Sequence, residues 1–226
     1  MAARLIITLD GPAGAGKSTV AQRLARELDY LYVNSGALYR GIAWQMGRLG
    51  LDLQDAAALH EFLQGFQPLV AADAQGFHLV IDGVEVREEL QAPVVSHGAS
   101  QVARQPEVRQ WVKVHLRRLA RDGGVVTEGR DQGTVVFPQA QCKFYLDAAL
   151  EIRAQRRRQD WQQDGAPPSL EEIMAAIAAR DEADASRDEA PLKAPPDAVV
   201  IDTSHLDIGQ VVQQCLARIK AVLGSL

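Results

Sequence analysis

The stretch GPAGAGKS at residues 11–18 narrows what this chain can fold into more than any other feature. It matches G-x-x-x-x-G-K-[ST], follows the apolar run RLIITLD (4–10) and leads into a helical pattern that runs to about Leu28. Strand, glycine-rich turn and helix in that order form a phosphate cradle: the glycines let backbone N–H groups converge on phosphate oxygens. The helix N-terminus adds partial positive charge at the same place. Gly11, Pro12, Ala13, Gly14, Ala15, Gly16, Lys17, Ser18 and Thr19 are therefore expected to hold a nucleoside triphosphate. Lys17 should reach the β- and γ-phosphates and Ser18 should coordinate Mg²⁺.

A turn of this kind needs a sheet behind it, and the pattern supplies one. Apolar runs at 30–34, 124–129, 143–147 and 198–202 join the first. Each is nearly continuous, as expected of strands covered by helices on both faces. The expectation is an α/β fold of the P-loop type, a parallel five-stranded sheet flanked by helices and joined by right-handed crossovers. The interval from about Asp52 to Gln105 breaks this rhythm. There FHLVIDGVEV (77–86) alternates and carries Asp82-Gly83, a hairpin signal, so a small antiparallel insertion is predicted. Ser169 with Glu172 reads as a capping box that starts a later helix.

Composition removes several classes. The chain has 226 residues, a net charge of -5 and a pI near 5.6, which argues against a protein that coats nucleic acid. Its two cysteines, Cys142 and Cys215, read as buried thiols of a reducing compartment. The run LIITL is too short to span a bilayer, so a soluble cytoplasmic protein with no membrane partner is expected. Asn34 is the only asparagine and Ser35 follows it, which rules out an N-K-x-D guanine reader. The length disfavours a motor or helicase. A small phosphotransferase remains, and it needs an acceptor site, arginines to offset charge, and a lid.

Three stretches can supply these. NSGALYRGIA (34–43) offers Ser35 as a helix cap, with Tyr39 and Arg40 on the first turns. TEGRDQGTVVFP (127–138) ends a strand, placing Glu128 towards Mg²⁺ or its waters and Arg130 and Asp131 just beyond. Both stretches follow the carboxyl ends of strands, where doubly wound folds bind ligands. RDEADASR (180–187) sets Arg180, Asp184 and Arg187 along one helical stripe. As surface pairs these charges would contribute only a few tenths of a kcal/mol, so a stripe facing a ligand is the better reading. EIRAQRRRQD (151–160) puts Arg153, Arg156 and Arg157 on one helix face and runs into the tip DGAPPS (164–169), which suggests an arginine-bearing flap over triphosphate. The tryptophans Trp44, Trp111 and Trp161 read as packing residues, Trp161 being close to the flap.

GPAGAGKST, NSGALYR, ASQVA (99–103), EGRDQGTVVFP and the spaced RD…D..R.EAPL run (180–192) together resemble the bacterial cytidylate kinases over nearly the whole chain. The resemblance implies phosphoryl transfer from ATP, with Mg²⁺, to CMP or dCMP. It implies a core (1–34, 106–152 and 187–226), an acceptor-binding region (35–105) and a helical lid with its adjoining helix (153–186). Carried over, Arg40 and Arg130 would hold the acceptor phosphate. Ser100, Arg109, Asp131 and Arg187 would read cytosine, Arg180 and Asp184 would hold the ribose, and Ser35 and Tyr39 would line the pocket. Lys17, Arg130, Arg153 and Arg157 would carry the chemistry. Some members have aspartate where this chain has Glu128. Other acceptors, such as UMP or a shikimate-like metabolite, and a non-catalytic nucleotide-binding regulator remain alternatives. Small nucleotides are the expected partners, and nothing demands more than a monomer.

Overall fold

A computed structural model describes residues 4–73, 76–161 and 168–224. The chain divides into two compact units, one of Met1–Tyr30 with Gly123–Leu226 and the other of Leu31–Asp122. The expected flap tip at 164–167 and the side chain of Trp161 lie outside the described residues.

The first unit opens with strand β1 (Ile6–Asp10), the phosphate loop and helix α1 (Lys17–Leu28). In β1, Ile7 and Leu9 on one face are fully buried, and so are Thr8 and Asp10 on the other. That is what cover on both faces requires. Helix α1 buries Val20, Ala21, Leu24 and Ala25, and stops where Asp29 turns left-handed at φ 54.

The second unit begins with strand β2 (Leu31–Asn34) and helices α2 (Ser35–Arg48) and α3 (Ala56–Gly65). A three-stranded sheet follows, of β3 (Leu69–Asp73), β4 (Gly76–Ile81) and β5 (Val84–Val86), and then helices α4 (Pro93–Val102) and α5 (Pro106–Leu119). All its pairings are antiparallel. Asp82 and Gly83 both have positive φ, 50 and 78, as a two-residue primed hairpin turn demands. Strand β3 has no such local marker in the sequence and forms by pairing with β4. Ser35 does not cap α2: the Asn34 side chain accepts from the Ala37 N–H at 3.1 Å, and Ser35 is the first helical residue. Asparagine caps as well as serine does and stands one position earlier.

The first unit resumes with β6 (Val125–Gly129), a single π turn (Gln132–Val136), β7 (Cys142–Asp147), α6 (Leu150–Trp161), α7 (Leu170–Ala185), β8 (Val199–Asp202) and α8 (Ile208–Leu223). The large sheet has the order β2-β6-β1-β7-β8, and β1 with β6, β1 with β7 and β7 with β8 pair in parallel. The expected five-stranded α/β architecture is thus present. Helices α6 and α7 pack through Ala154, Ile173 and Ile177, and α7 starts on the expected Ser169–Glu172 capping box. Cys142 and Cys215 are buried free thiols. No helix among the described residues is long and apolar enough to cross a membrane.

Two glycines separate backbone strain from collision. Gly123 has φ +67, and a Cβ there would lie 2.1 Å from the Arg4 carbonyl oxygen; Gly50 has the same φ with open space around it. Gly50→Ala should cost about 1–2 kcal/mol, the usual penalty for a left-handed residue. Gly123→Ala must also move backbone, and should cost at least about 3 kcal/mol. Urea unfolding of both variants measures the difference, and equal losses would contradict this account of the turn.

Candidate active site

The phosphate loop is held open by its glycines and gripped from outside. Gly11, Gly14 and Gly16 take φ of 144, 80 and 85. A Cβ on Gly11 would lie 2.0 Å from the Leu146 carbonyl oxygen, so only glycine lets the loop pass the end of β7. On the far side, Arg153 donates from Nε to the Ala148 carbonyl at 2.9 Å and from one terminal nitrogen to the Ala13 carbonyl at 3.1 Å. The same nitrogen pairs with Asp181, whose other oxygen accepts from the Ala13 N–H at 3.2 Å. Arg153 and Asp181 thus clamp the loop to α6 and α7.

Lys17 lies at the start of α1 and is only 5% exposed. Its Nζ donates to the Pro12 carbonyl at 2.6 Å, which keeps the ammonium folded back beneath the loop. Burial, above all, pushes its pKa down from 10.5 to about 7; the Arg130 charge adds to this, Glu128 and Asp10 oppose it, and Arg180 lowers it further. Arg130, Glu128, Asp10 and Arg180 are thus the charged groups that bear on the loop lysine, Arg180 from an exposed position on α7.

Arg130 leaves the end of β6 and donates from Nε to Asp184 Oδ2 at 2.8 Å. The other Asp184 oxygen accepts from Arg187. Helix α7 ends at Ala185, so Arg187 is not on a continuous helical stripe as expected; it reaches Asp184 from the segment beyond the helix. Asp184, at 4% exposed, is a buried carboxylate between two guanidinium groups. Asp131 is buried beside Gln132, whose Nε2 donates to Asp131 Oδ1 at 3.4 Å while its Oε1 accepts from Thr127 at 3.0 Å. Arg156, expected with Arg153, is anchored elsewhere, on the hydroxyl and carbonyl of Thr203 at 3.0 and 2.7 Å. Arg157 is half-buried on the same helix.

In the second unit, Ser35, Tyr39 and Arg40 stand on the first turns of α2, Ser100 on α4 and Arg109 on α5. Helix α2 packs against both α4 and α5. The Ser100 hydroxyl donates to the Ser96 carbonyl at 3.2 Å, and Arg109 donates to the Ala103 carbonyl at 3.2 Å. Trp111 is packed, stacked on His115 and tilted against Phe66.

Two residues around the loop escaped sequence reasoning. Asp10 is a fully buried carboxylate at the end of an otherwise apolar strand, and that oddity was a usable signal. Asp181 carried none, because it reads as one more charge on an acidic helix face.

A buried loop lysine between a parallel strand and its helix, ringed by arginines and carboxylates, defines a P-loop phosphotransferase. Solved structures agree on the fold. The chain superposes on a shikimate kinase from Bacteroides thetaiotaomicron with TM-score 0.50 at 16% identity, covering 96% of this chain and 99% of that one. It superposes on a gluconokinase from Sinorhizobium meliloti with TM-score 0.51 at 14% identity, covering 100% and 96%. Sequence is more specific: the family profile described as cytidylate kinase matches residues 7–221. A cytidylate kinase of Maridesulfovibrio salexigens is 43% identical over 91% of this chain and 92% of its own length. One from Geobacillus kaustophilus is 38% identical over 99% and 100%. The chain belongs to the cytidylate kinase family.

The depressed Lys17 pKa has a sign. Between about 7 and 10.5 the unfolded chain holds a proton there that the fold does not, so this group's contribution to stability rises with pH across that window. Lys17→Met removes the buried ammonium and should stabilise the ligand-free protein at pH 7 by a few kcal/mol while abolishing turnover. The gap to wild type should close as pH approaches 10.5. Denaturant melts across pH check this, and a gap that does not change with pH would contradict it.

Proposed function

We propose that the protein transfers the γ-phosphoryl group of ATP, with Mg²⁺, to CMP or dCMP, forming CDP or dCDP and ADP. The observation that carries the reading is the buried Asp184 carboxylate, which holds the guanidinium groups of Arg130, just beyond the end of β6, and of Arg187. Cations around a phosphate loop serve triphosphate; a carboxylate-braced arginine pair beside them serves a second, polar, anionic ligand.

The acceptor phosphate is already anionic at neutral pH, so no general base is required. Catalysis is positioning and charge stabilisation. Lys17 offsets charge that builds on the transferring group, and Arg130 with Arg40 holds the acceptor phosphate. Asp131, Arg187, Ser100 and Arg109 read the cytosine edge, Arg180 and Asp184 hold the ribose, and Ser35 and Tyr39 line the pocket. Asp184 arrives with both guanidinium groups already oriented, and it keeps lone pairs to accept from sugar hydroxyls. Arg153 acts from a fixed position, braced on Ala13 and Asp181, and Arg157 is the arginine of the flap.

The residues present fit Mg²⁺. Ser18 follows the buried lysine and Glu128 is a buried strand-end carboxylate near it. Mg²⁺ retains waters and substrate phosphates and takes few protein ligands. The ion, when bound, neutralises charge on the phosphate oxygens; Ser18 would touch it and Glu128 would hold its waters. The reading is completed by a monomer in the cytosol with small nucleotides as its partners.

Turnover of CMP, dCMP, UMP, AMP, GMP and shikimate with Mg·ATP, followed by ADP release, tests the proposal. CMP and dCMP should lead. Faster use of UMP would overturn the substrate, and ATP binding without acceptor-dependent turnover would point to a regulator. Asp184→Ala leaves two guanidinium groups without their partner. It should lower kcat/KM for CMP about 10- to 100-fold, as expected for a lost charged hydrogen bond, while ATP affinity holds. Equal losses on both nucleotides would contradict the ribose assignment.

A further inference from the structure

Asp10 is the last residue of β1 and precedes the first loop glycine, yet both of its hydrogen bonds run away from the loop. One carboxylate oxygen accepts from the Gln132 N–H at 2.8 Å and the other from the Gly133 N–H at 2.7 Å. These N–H groups open the π turn that follows Arg130 and Asp131, where a helical turn has no acceptor of its own. The register puts Asp10 opposite Gly129, so the residue after its partner is Arg130. The turn is seated tightly against the strand. A Cβ on Gly133 would lie 2.9 Å from Thr8 Oγ1, 2.9 Å from Pro195 Cγ and 3.3 Å from Asp10 Oδ2. From the same turn, the Gln132 side chain reaches Thr127 and Asp131.

A fully buried carboxylate is a costly way to hold a turn. Burial, above all, raises its pKa to about 7, against the pull of the two N–H donors. Neutral side chains could fill the space, but only a carboxylate offers two acceptor oxygens in one plane to two successive N–H groups.

We propose that Asp10 is a positioning residue for the acceptor: by latching the backbone of Gln132 and Gly133 to the end of β1, it sets where Arg130 and Asp131 stand. The inference rests on the reading above, in which those two residues meet the acceptor phosphate and base. Donor binding is left to the loop's own N–H groups and Lys17, to which the Asp10 carboxylate makes no hydrogen bond. Loss of the latch therefore separates the two substrates, which a general loss of stability would not do.

Two variants test this. Asp10→Asn keeps the shape but sets an amide N–H₂ against one of the two donors. Gly133→Ala leaves Asp10 intact and pushes the turn off it. For each, CMP kinetics are compared with the affinity for a non-hydrolysable ATP analogue, and circular dichroism checks folding. Both variants should raise KM for CMP and lower kcat, with a combined loss in kcat/KM of at least about 100-fold. Affinity for the ATP analogue should stay within about threefold, far below the 1.4 kcal/mol of a tenfold change. Folded variants with CMP kinetics near wild type would overturn the latch, and so would an equal loss of ATP-analogue affinity. If Asp10→Asn does not fold, Gly133→Ala decides by the same criteria. Wild type in the same assay keeps the two questions apart: if it turns over neither CMP nor dCMP, the functional reading itself fails.

Discussion

An ammonium group kept out of water before any phosphate arrives is the constraint on which the rest of this structure depends. Lys17 is bent under its own loop to the Pro12 carbonyl, and burial, above all, drives its pKa down. Such an arrangement stores unfavourable electrostatics that an anionic ligand relieves. The surrounding architecture serves to hold it. The parallel register sets Leu9 opposite Glu128 and Asp10 opposite Gly129, so both carboxylates stand at adjoining strand ends beside the loop. The Arg153–Asp181 clamp stops the loop from relaxing outward.

The same logic extends to Asp184. Two guanidinium groups and one buried carboxylate would be a poor investment as a structural pair, since apolar residues of similar volume would serve stability as well or better. Held together, they give two planar donor forks a fixed orientation. This is the property needed to tell one small polar ligand from another. Asp10 repeats the pattern on a smaller scale, with a buried charge spent on geometry. Membership of the cytidylate kinase family says what the geometry is for.

Features with short-range causes were legible in the sequence. The phosphate loop, the apolar strands, the Asp82-Gly83 hairpin and the Ser169–Glu172 capping box each depend on residues within a few positions of one another, and all are present. What escaped depends on distant partners or on close competition. Strand β3 forms because β4 offers it an edge, not because of its own turn residues. Asn34 and Ser35 are both good caps, and backbone geometry chose the first. The π turn exists because Asp10, over a hundred residues away, satisfies its N–H groups. Arg153 and Arg156 share a helix face by spacing but separate towards Ala13 and Thr203. The Arg180–Arg187 row shows the limit of spacing arguments: α7 ends at Ala185, and Arg187 meets Asp184 from beyond the helix.

A site-resolved NMR titration of the lysine side chains, with Lys17→Met used to assign the signal, reaches the central claim most directly. The account predicts that Lys17 in the ligand-free protein titrates near 7, well apart from the surface lysines. It also predicts that bound ATP restores its proton up to at least about pH 9, through the phosphate charge that favours the ammonium form. A Lys17 signal that titrates near 10.5 with and without ATP would contradict it.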